Sequence, residues 1–310
     1  MEATLWTGEP IDTPGLYRGV SMDAYHGQLT TGPSISSSGL RTIFYESAAH
    51  YFAGSYLNPN RVEEEPGEAL IFGRAAHHLL LGEAEFGRHF VVRPEELNGA
   101  PWQGNRKDCK LWLEAMRAER LTVLVGKQIE HIRGMAASLA GHPLIHAGAL
   151  NGLIEHSLVW QDPETGIWLK ARPDAIPTTD LDFSDLKTAA DVTDEGIETA
   201  IGRDGLNMQG ALVAMGCRAV FGRELTSFSL VFVEKTPPYC VRVKTLKPCD
   251  LELGEQQVRA ALSVFARCIE TGRWPGPGGE QTDAEYVELK PFHRTRIEHR
   301  LATIQQELAA

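Results

Sequence analysis

Lys170-Ala171-Arg172-Pro173-Asp174-Ala175-Ile176, followed after four residues by Leu181-Asp182-Phe183-Ser184-Asp185-Leu186-Lys187, is the stretch that decides the fold. Both runs read as β-strands. Side chains alternate faces along a strand, so Lys170, Arg172 and Asp174 share one face of the first, opposite Leu169 and Ala171. On the second, Asp185 and Lys187 share a face and Leu186 points the other way. Asp174 follows Pro173, close to where its strand ends. One run earlier, Leu153–Trp160 places Glu155 among Leu153, Ile154 and Leu158. An acidic residue inside an apolar strand is costly unless something satisfies it. Asp162-Pro163-Glu164-Thr165-Gly166 is a strong turn between these first two strands, expected over 153–160 and 167–176.

Working outward, the Ser36-Ser37-Ser38 hydroxyls suit a helix N-cap, with the helix running through Leu40, Ile43, Phe44 and Ala48. Residues 61–68 read as acidic and exposed, 69–81 as a buried helix, 98–110 as a polar loop and 111–140 as two helices. Past the third strand, 195–220 is expected to be helical, weakened by Gly202 and Gly205. Two strands follow (228–234 and 239–245), then a helix over 251–269. This order predicts an α/β domain, a central mixed sheet flanked by helices, with a helical N-terminal elaboration. The expected divisions are an irregular arm over 1–34, a domain over 35–277 with its core at about 150–272, and a charged C-terminal tail over 278–310, helical from about 285.

The chain has 310 residues, 43% of them apolar and 23% charged, which excludes disorder as the dominant state. Five Cys, an odd number, argue against a disulfide scaffold. No Cys-x-x-Cys spacing supports an iron–sulfur cluster. No apolar run is long enough to cross a membrane, and Met1-Glu2-Ala3-Thr4 opens no secretory signal; the expectation is a cytoplasmic protein. The net charge is 30 − 41 = −11. That speaks against a surface coating nucleic acid indiscriminately. It leaves room for a nuclease, whose site must concentrate carboxylates and whose groove alone needs to be positive.

If Glu155, Asp174 and Asp185 converge, their mutual repulsion demands a cation. Hard oxygen ligands favour Mg²⁺ or Mn²⁺ over Zn²⁺. A lysine beside them can orient water and stabilise charge on a phosphate. The acidic-x-Lys pattern occurs three times, at Asp108, Asp185 and Glu288. Only the middle one ends an apolar strand and follows a strand-terminal Asp by eleven residues. An exposed ion pair on a strand edge is the plainer reading of the pattern alone. Lys170 and Arg172 have two roles open, phosphate contact or ion pairing. Arg106, Lys107 and Lys110 with Trp102 suit either a DNA-backbone grip or an exposed loop. The basic run from His293 to Arg300 is most simply a solvated helix face.

Together these motifs resemble the PD-(D/E)XK nuclease superfamily, most closely the RecE-type phage exonucleases (exodeoxyribonuclease VIII-like). The residues are Arg172-Pro173-Asp174, Ser184-Asp185-Leu186-Lys187-Thr188-Ala189, Glu155-His156, Ile35-Ser36-Ser37-Ser38-Gly39-Leu40, Phe72-Gly73-Arg74-Ala75-Ala76-His77 and Gly272-Arg273-Trp274-Pro275-Gly276. The resemblance implies a restriction-endonuclease-like core with metal ligands Asp174, Asp185, Glu155, His77 and the Leu186 carbonyl. Lys187 would position the attacking water, and Gln209 matches the family's motif glutamine. Val213 stands where the family commonly has Tyr. The implied activity is Mg²⁺-dependent degradation of linear double-stranded DNA from its ends, 5′→3′. A homo-oligomeric ring and a single-strand annealing protein as recombination partner are implied with it. A catalytically silent DNA-binding component and a repair or restriction endonuclease are the alternatives on the same fold.

Overall fold

The computed structural model describes residues 2–62, 67–82, 86–279 and 283–309; parts of the acidic stretch at 61–68 and of the tail at 278–310 lie outside them. The N-terminal elements are β1 (Thr4–Leu5), β2 (Gly15–Arg18), α1 (Met22–His26), β3 (Ser34–Ser36), α2 (Ser37–Tyr45), α3 (Ala48–Gly54) and α4 (Glu68–Leu80). An inserted region carries β4 (Phe90–Val92), β5 (Glu96–Leu97), β6 (Ala100–Pro101), α5 (Lys107–Ala118), β7 (Thr122–Leu124), α6 (Gly126–Ala140) and α7 (Pro143–His146). The core follows with β8 (Leu153–Ile154), β9 (Ser157–Gln161), β10 (Trp168–Ala171), β11 (Ala175–Ile176), β12 (Asp182–Ala189), α8 (Asp194–Asp204) and α9 (Leu206–Gly216). Last come β13 (Ser227–Glu234), β14 (Val241–Thr245), α10 (Pro248–Thr271) and α11 (Pro291–Ala309).

The fold is α/β. One sheet runs β1-β2-β9-β10-β3 and another β12-β13-β14, with β8 and β11 forming a short ladder of their own. β12 pairs in parallel with β13 along its whole length, Asp185 opposite Leu230 and Leu186 opposite Val231. Alternation then sorts the side chains. Phe183, Phe228, Leu230 and Phe232 pack with Leu212 of α9 and Phe265 of α10. Leu186, Val231 and Val233 face the other way, onto Phe72 and Ala76 of α4 and Met135 of α6. Fully burying each such side chain contributes about 1.5–3 kcal/mol. Helices thus cover both faces of the sheet that carries Asp185 and Lys187.

Several boundaries differ from the sequence expectation, each for a local reason. Both early strands break at the same level. Pro173 removes a ladder donor between β10 and β11, and Glu155 takes a left-handed conformation (φ 58°) between β8 and β9. The helix expected over 195–220 divides at Gly205, whose left-handed φ of 60° ends α8 and opens α9. The loop expected over 98–110 contains β6 and the start of α5, and β7 separates α5 from α6. The arm over 1–34, expected to be irregular, supplies β1, β2 and α1. β2 pairs with β9, and Tyr17, Val20, Tyr25 and Leu29 form a core with Val159 and Trp168. Its apolar residues are too widely spaced to show a period, yet Ile11, Tyr17, Val20, Tyr25 and Leu29 are buried in that core.

The chain divides into two compact units, Met1–Trp274 and Pro275–Ala310. Within the first, Trp274 stacks on Phe52 at 4.6 Å and meets Tyr51 and Phe265 edge-on or tilted. In the second, α11 carries no buried residue, and its His293–Arg300 run is exposed. Among the described residues no helix is long and apolar enough to cross a membrane.

Candidate active site

Asp185 lies mid-strand on β12 and is 1% exposed. Its Oδ2 is ion-paired with the Lys187 ammonium, two residues on and on the same face. Its Oδ1 accepts a hydrogen bond from Gln209 Nε2 at 2.9 Å. Gln209 comes from α9, which packs across that face. Asp174 occupies the bend between β10 and β11. Its Oδ2 accepts the Leu186 backbone N–H at 2.6 Å, and its Oδ1 lies 3.5 Å from His77 Nδ1 on α4. Gly73, one helical turn before His77, faces Thr188 at the end of β12. The Leu186 N–H bond brings Asp174 to the strand that holds Asp185.

The electrostatics follow from this crowding. Burial and the neighbouring Asp174 charge push the Asp185 carboxyl up, against the opposing pull of Lys187. Burial acts in the same direction on Asp174, but His77, Lys187 and the Leu186 N–H outweigh it and hold that carboxyl below its usual range. Burial lowers His77, and the Asp174 carboxylate more than compensates, so its imidazole is raised. Asp174 is thus the settled anion of the pair and Asp185 the strained one.

The other sequence candidates fall differently. Glu155 is exposed in the turn between β8 and β9, not inside an apolar strand. The ladder that pairs Ile154 with Ala175 brings its backbone alongside Asp174, but the three carboxylates do not gather as expected. Among the described residues no three His, Cys, Asp or Glu side chains form a group that could hold a metal ion. Arg106 grips Asp108 at 2.5 Å and donates to the Leu97 and Pro101 carbonyls, so it braces the β5–β6 hairpin. Trp102 lies under Arg93 and against Trp112, while Lys107 and Lys110 are exposed. Trp274, in the segment resembling the family's end, is a packing residue.

Some neighbours were missed by sequence reading. The Arg41 charge acts on Asp185, and Arg41 donates to the Asp204 carbonyl at 2.6 Å. Its signal was the arginine one turn after the serine triplet, which was read only as a cap. Val213, four residues after Gln209, lines the same cleft as Gln209 and Arg41.

The donor set suits a hard divalent cation. Asp185 Oδ2 is buried and makes no hydrogen bond of acceptable geometry beyond its charge pairing with Lys187. Two buried carboxylates that repel each other, with an imidazole beside one, are what such an ion would satisfy.

Asp174 at a bend, Asp185-x-Lys187 on β12 and Gln209 on α9 together define the PD-(D/E)XK class of nuclease folds. The chain belongs to the family described as "PDDEXK-like domain of unknown function (DUF3799)", whose model matches residues 36–288. The crystal structure of a "Putative exonuclease" from Eubacterium rectale is similar, with a TM-score of 0.58 and 13% identity, covering 89% of this chain and 97% of that one. That likeness is one of fold. No curated protein sequence matches this chain significantly.

Proposed function

We propose that the protein is a divalent-metal-dependent DNA exonuclease of RecE-like type. The observation that carries the reading is the pair of carboxylates, Asp174 and Asp185, drawn together beside the Lys187 ammonium. Asp174 and Asp185 would hold the cation, with His77 and the Leu186 carbonyl as further ligands the resemblance implies; Glu155, exposed in its turn, is left out of the set. When bound, Mg²⁺ or Mn²⁺ would supply Lewis acidity toward a phosphoryl oxygen and charge to balance the developing anion. Lys187, anchored on Asp185, orients the attacking water and adds positive charge where negative charge grows. Gln209 fixes the orientation of Asp185. His77 keeps Asp174 ionised.

Action on linear duplex ends, 5′→3′ polarity, a recombination setting with a single-strand annealing protein, and homo-oligomerisation belong to the same proposal. The resemblance to RecE-type enzymes supports them; the description of the Eubacterium rectale protein as a "Putative exonuclease" supports the first alone. The test is nucleotide release from linear duplex DNA with Mg²⁺ or Mn²⁺. Asp185→Ala is expected to lower release about a thousandfold. Covalently closed circular duplex should remain intact; its cleavage would point to an endonuclease. No release with any divalent metal would favour a silent DNA-binding component.

A further inference from the structure

Helix α11 has 19 residues and buries none of them. Its large apolar side chains stand in water: Ile297 is 45% exposed, Leu301 55% and Leu308 83%. A lone helix of this length is marginal in water, and most helices are held by packing an apolar face. Ile297, Leu301, Ile304 and Leu308 follow one another at steps of four, three and four residues. That is the spacing of the seam between two coiled helices. At 3.6 residues per turn the four side chains fall within an arc of about 60°. The face that covers a globular core spans about 100° or more, whereas a stripe this narrow suits one other helix. Phe292 lies outside the stripe, with the Arg296 guanidinium over its ring at 6.0 Å.

Charge selects the second helix and its direction. Arg300 and Glu307 lie on one flank of the stripe, Glu298 and Gln305 on the other. Neither Arg300 nor Glu307 makes an ion pair among the described residues. Two copies of α11 laid antiparallel can meet at all four apolar positions, Ile297 against Leu308 and Leu301 against Ile304, each pair made twice. In that register Arg300 of each copy comes opposite Glu307 of the other, so both charges are matched. A parallel pair in register would set Arg300 beside Gln305 and leave Glu307 without a cation. It would also stack Arg294, the next position along the seam, on its own counterpart, and Arg294 already serves Glu288 at 2.8 Å.

We infer that α11 is a self-association helix. It docks antiparallel on α11 of a second copy of this chain, with Leu301 and Ile304 at the centre of the seam and reciprocal Arg300–Glu307 pairs on its flank. The contact is isologous and closes on two chains. Four layers bury little surface, so the contact is weak and reversible. It stands apart from the nuclease reading, whose resemblance implies an oligomer but no surface for it.

The test is sedimentation velocity of the full-length protein over a rising concentration series. The unsubstituted chain should double its mass reversibly. Leu301→Arg puts a charge in the seam and should raise the dissociation constant at least about tenfold. Because α11 buries no residue in the single chain, the urea midpoint of this variant at low concentration should match that of the unsubstituted protein. Arg300→Glu turns both attractive pairs repulsive and should weaken association about tenfold. Combining Arg300→Glu with Glu307→Arg exchanges the charges and should bring association back to within about twofold. Such recovery supports the antiparallel register, since a parallel pair does not bring positions 300 and 307 together. A mass that neither changes with concentration nor falls in Leu301→Arg overturns the proposal. So does a double variant that recovers nothing of what Arg300→Glu loses. If the first unit also assembles by a surface of its own, the step missing from Leu301→Arg is the one α11 supplies. Nucleotide release is read separately: an inactive protein that still doubles reversibly would sink the nuclease reading alone.

Discussion

Asp185 shows how a single side chain can be costly to the fold and necessary to the site. Its carboxyl is buried, faces Asp174 and is pushed up in spite of Lys187. Its charge is therefore a net burden on the folded chain, as happens where function is placed ahead of stability. Asp185→Asn keeps the shape and removes the charge. Measured in a chelator at neutral pH, this variant should be more stable by about 1 kcal/mol, while nucleotide release with metal is lost. A midpoint lower than that of the unsubstituted protein would show that Lys187 outweighs the repulsion. At this scale the sequence was informative where chemistry and spacing coincide. Asp185 and Lys187 could be picked out because Asp-x-Lys ends an apolar run, whereas Gln209 was marked only by the family resemblance. Glu155 was misplaced because nothing in Leu153-Ile154-Glu155-His156 announces a left-handed turn. A non-glycine residue with positive φ is uncommon and has to be observed.

Elements are held in place by contacts that pattern reading does not reach. Asp162 is 1% exposed and closes the β9–β10 turn. Its Oδ2 accepts the Thr165 N–H at 3.0 Å and hydroxyl at 2.8 Å, and its Oδ1 pairs with Arg259 of α10. Burial raises its carboxyl, but Thr165 and Arg259 outweigh that and hold it below the ordinary range. A depressed folded value means the stabilisation is present above the unfolded value of about 3.9 and is lost as pH falls through the folded one. Asp162→Ala should cost about 2–3 kcal/mol near neutrality. In urea titrations that deficit should narrow below about pH 4; an equal deficit at all pH values would refute the assignment. Gly254 sets a second contact, between α9 and α10. A Cβ there would lie 2.5 Å from the Asn207 carbonyl oxygen. Gly254→Ala would ordinarily strengthen a helix by about 1 kcal/mol. Here it should destabilise by about 2 kcal/mol and, because α9 also carries Gln209, reduce nucleotide release beyond what the stability loss explains. The helices were legible as helices; their closest approach rests on a glycine that reads only as a weak helix former.

For the molecule as a whole, the net charge of −11 coexists with two neighbouring cations, Lys170 and Arg172, set against the Tyr25 ring, so charge placement and not charge balance decides the local potential. The N-terminal segment creates that placement. The family match starts at residue 36, and a boundary drawn there, or at 35 from composition, would discard residues 1–34 as an appendage. The structure argues otherwise. Removing them would unpair β9 from β2, strip the cover from Val159 and Trp168, and free Arg172 and Lys170 from Tyr25. An uncovered apolar strand edge is a route to aggregation. A chain beginning at residue 35 is therefore expected to be insoluble or to lose about 3 kcal/mol or more in urea unfolding, and Tyr25→Ala in the full chain should lose part of that. The decisive comparison is the unfolding midpoint of the shortened chain. If it matches the full chain, the N-terminal segment is dispensable to the fold, and the orientation of Arg172 must come from the family domain alone.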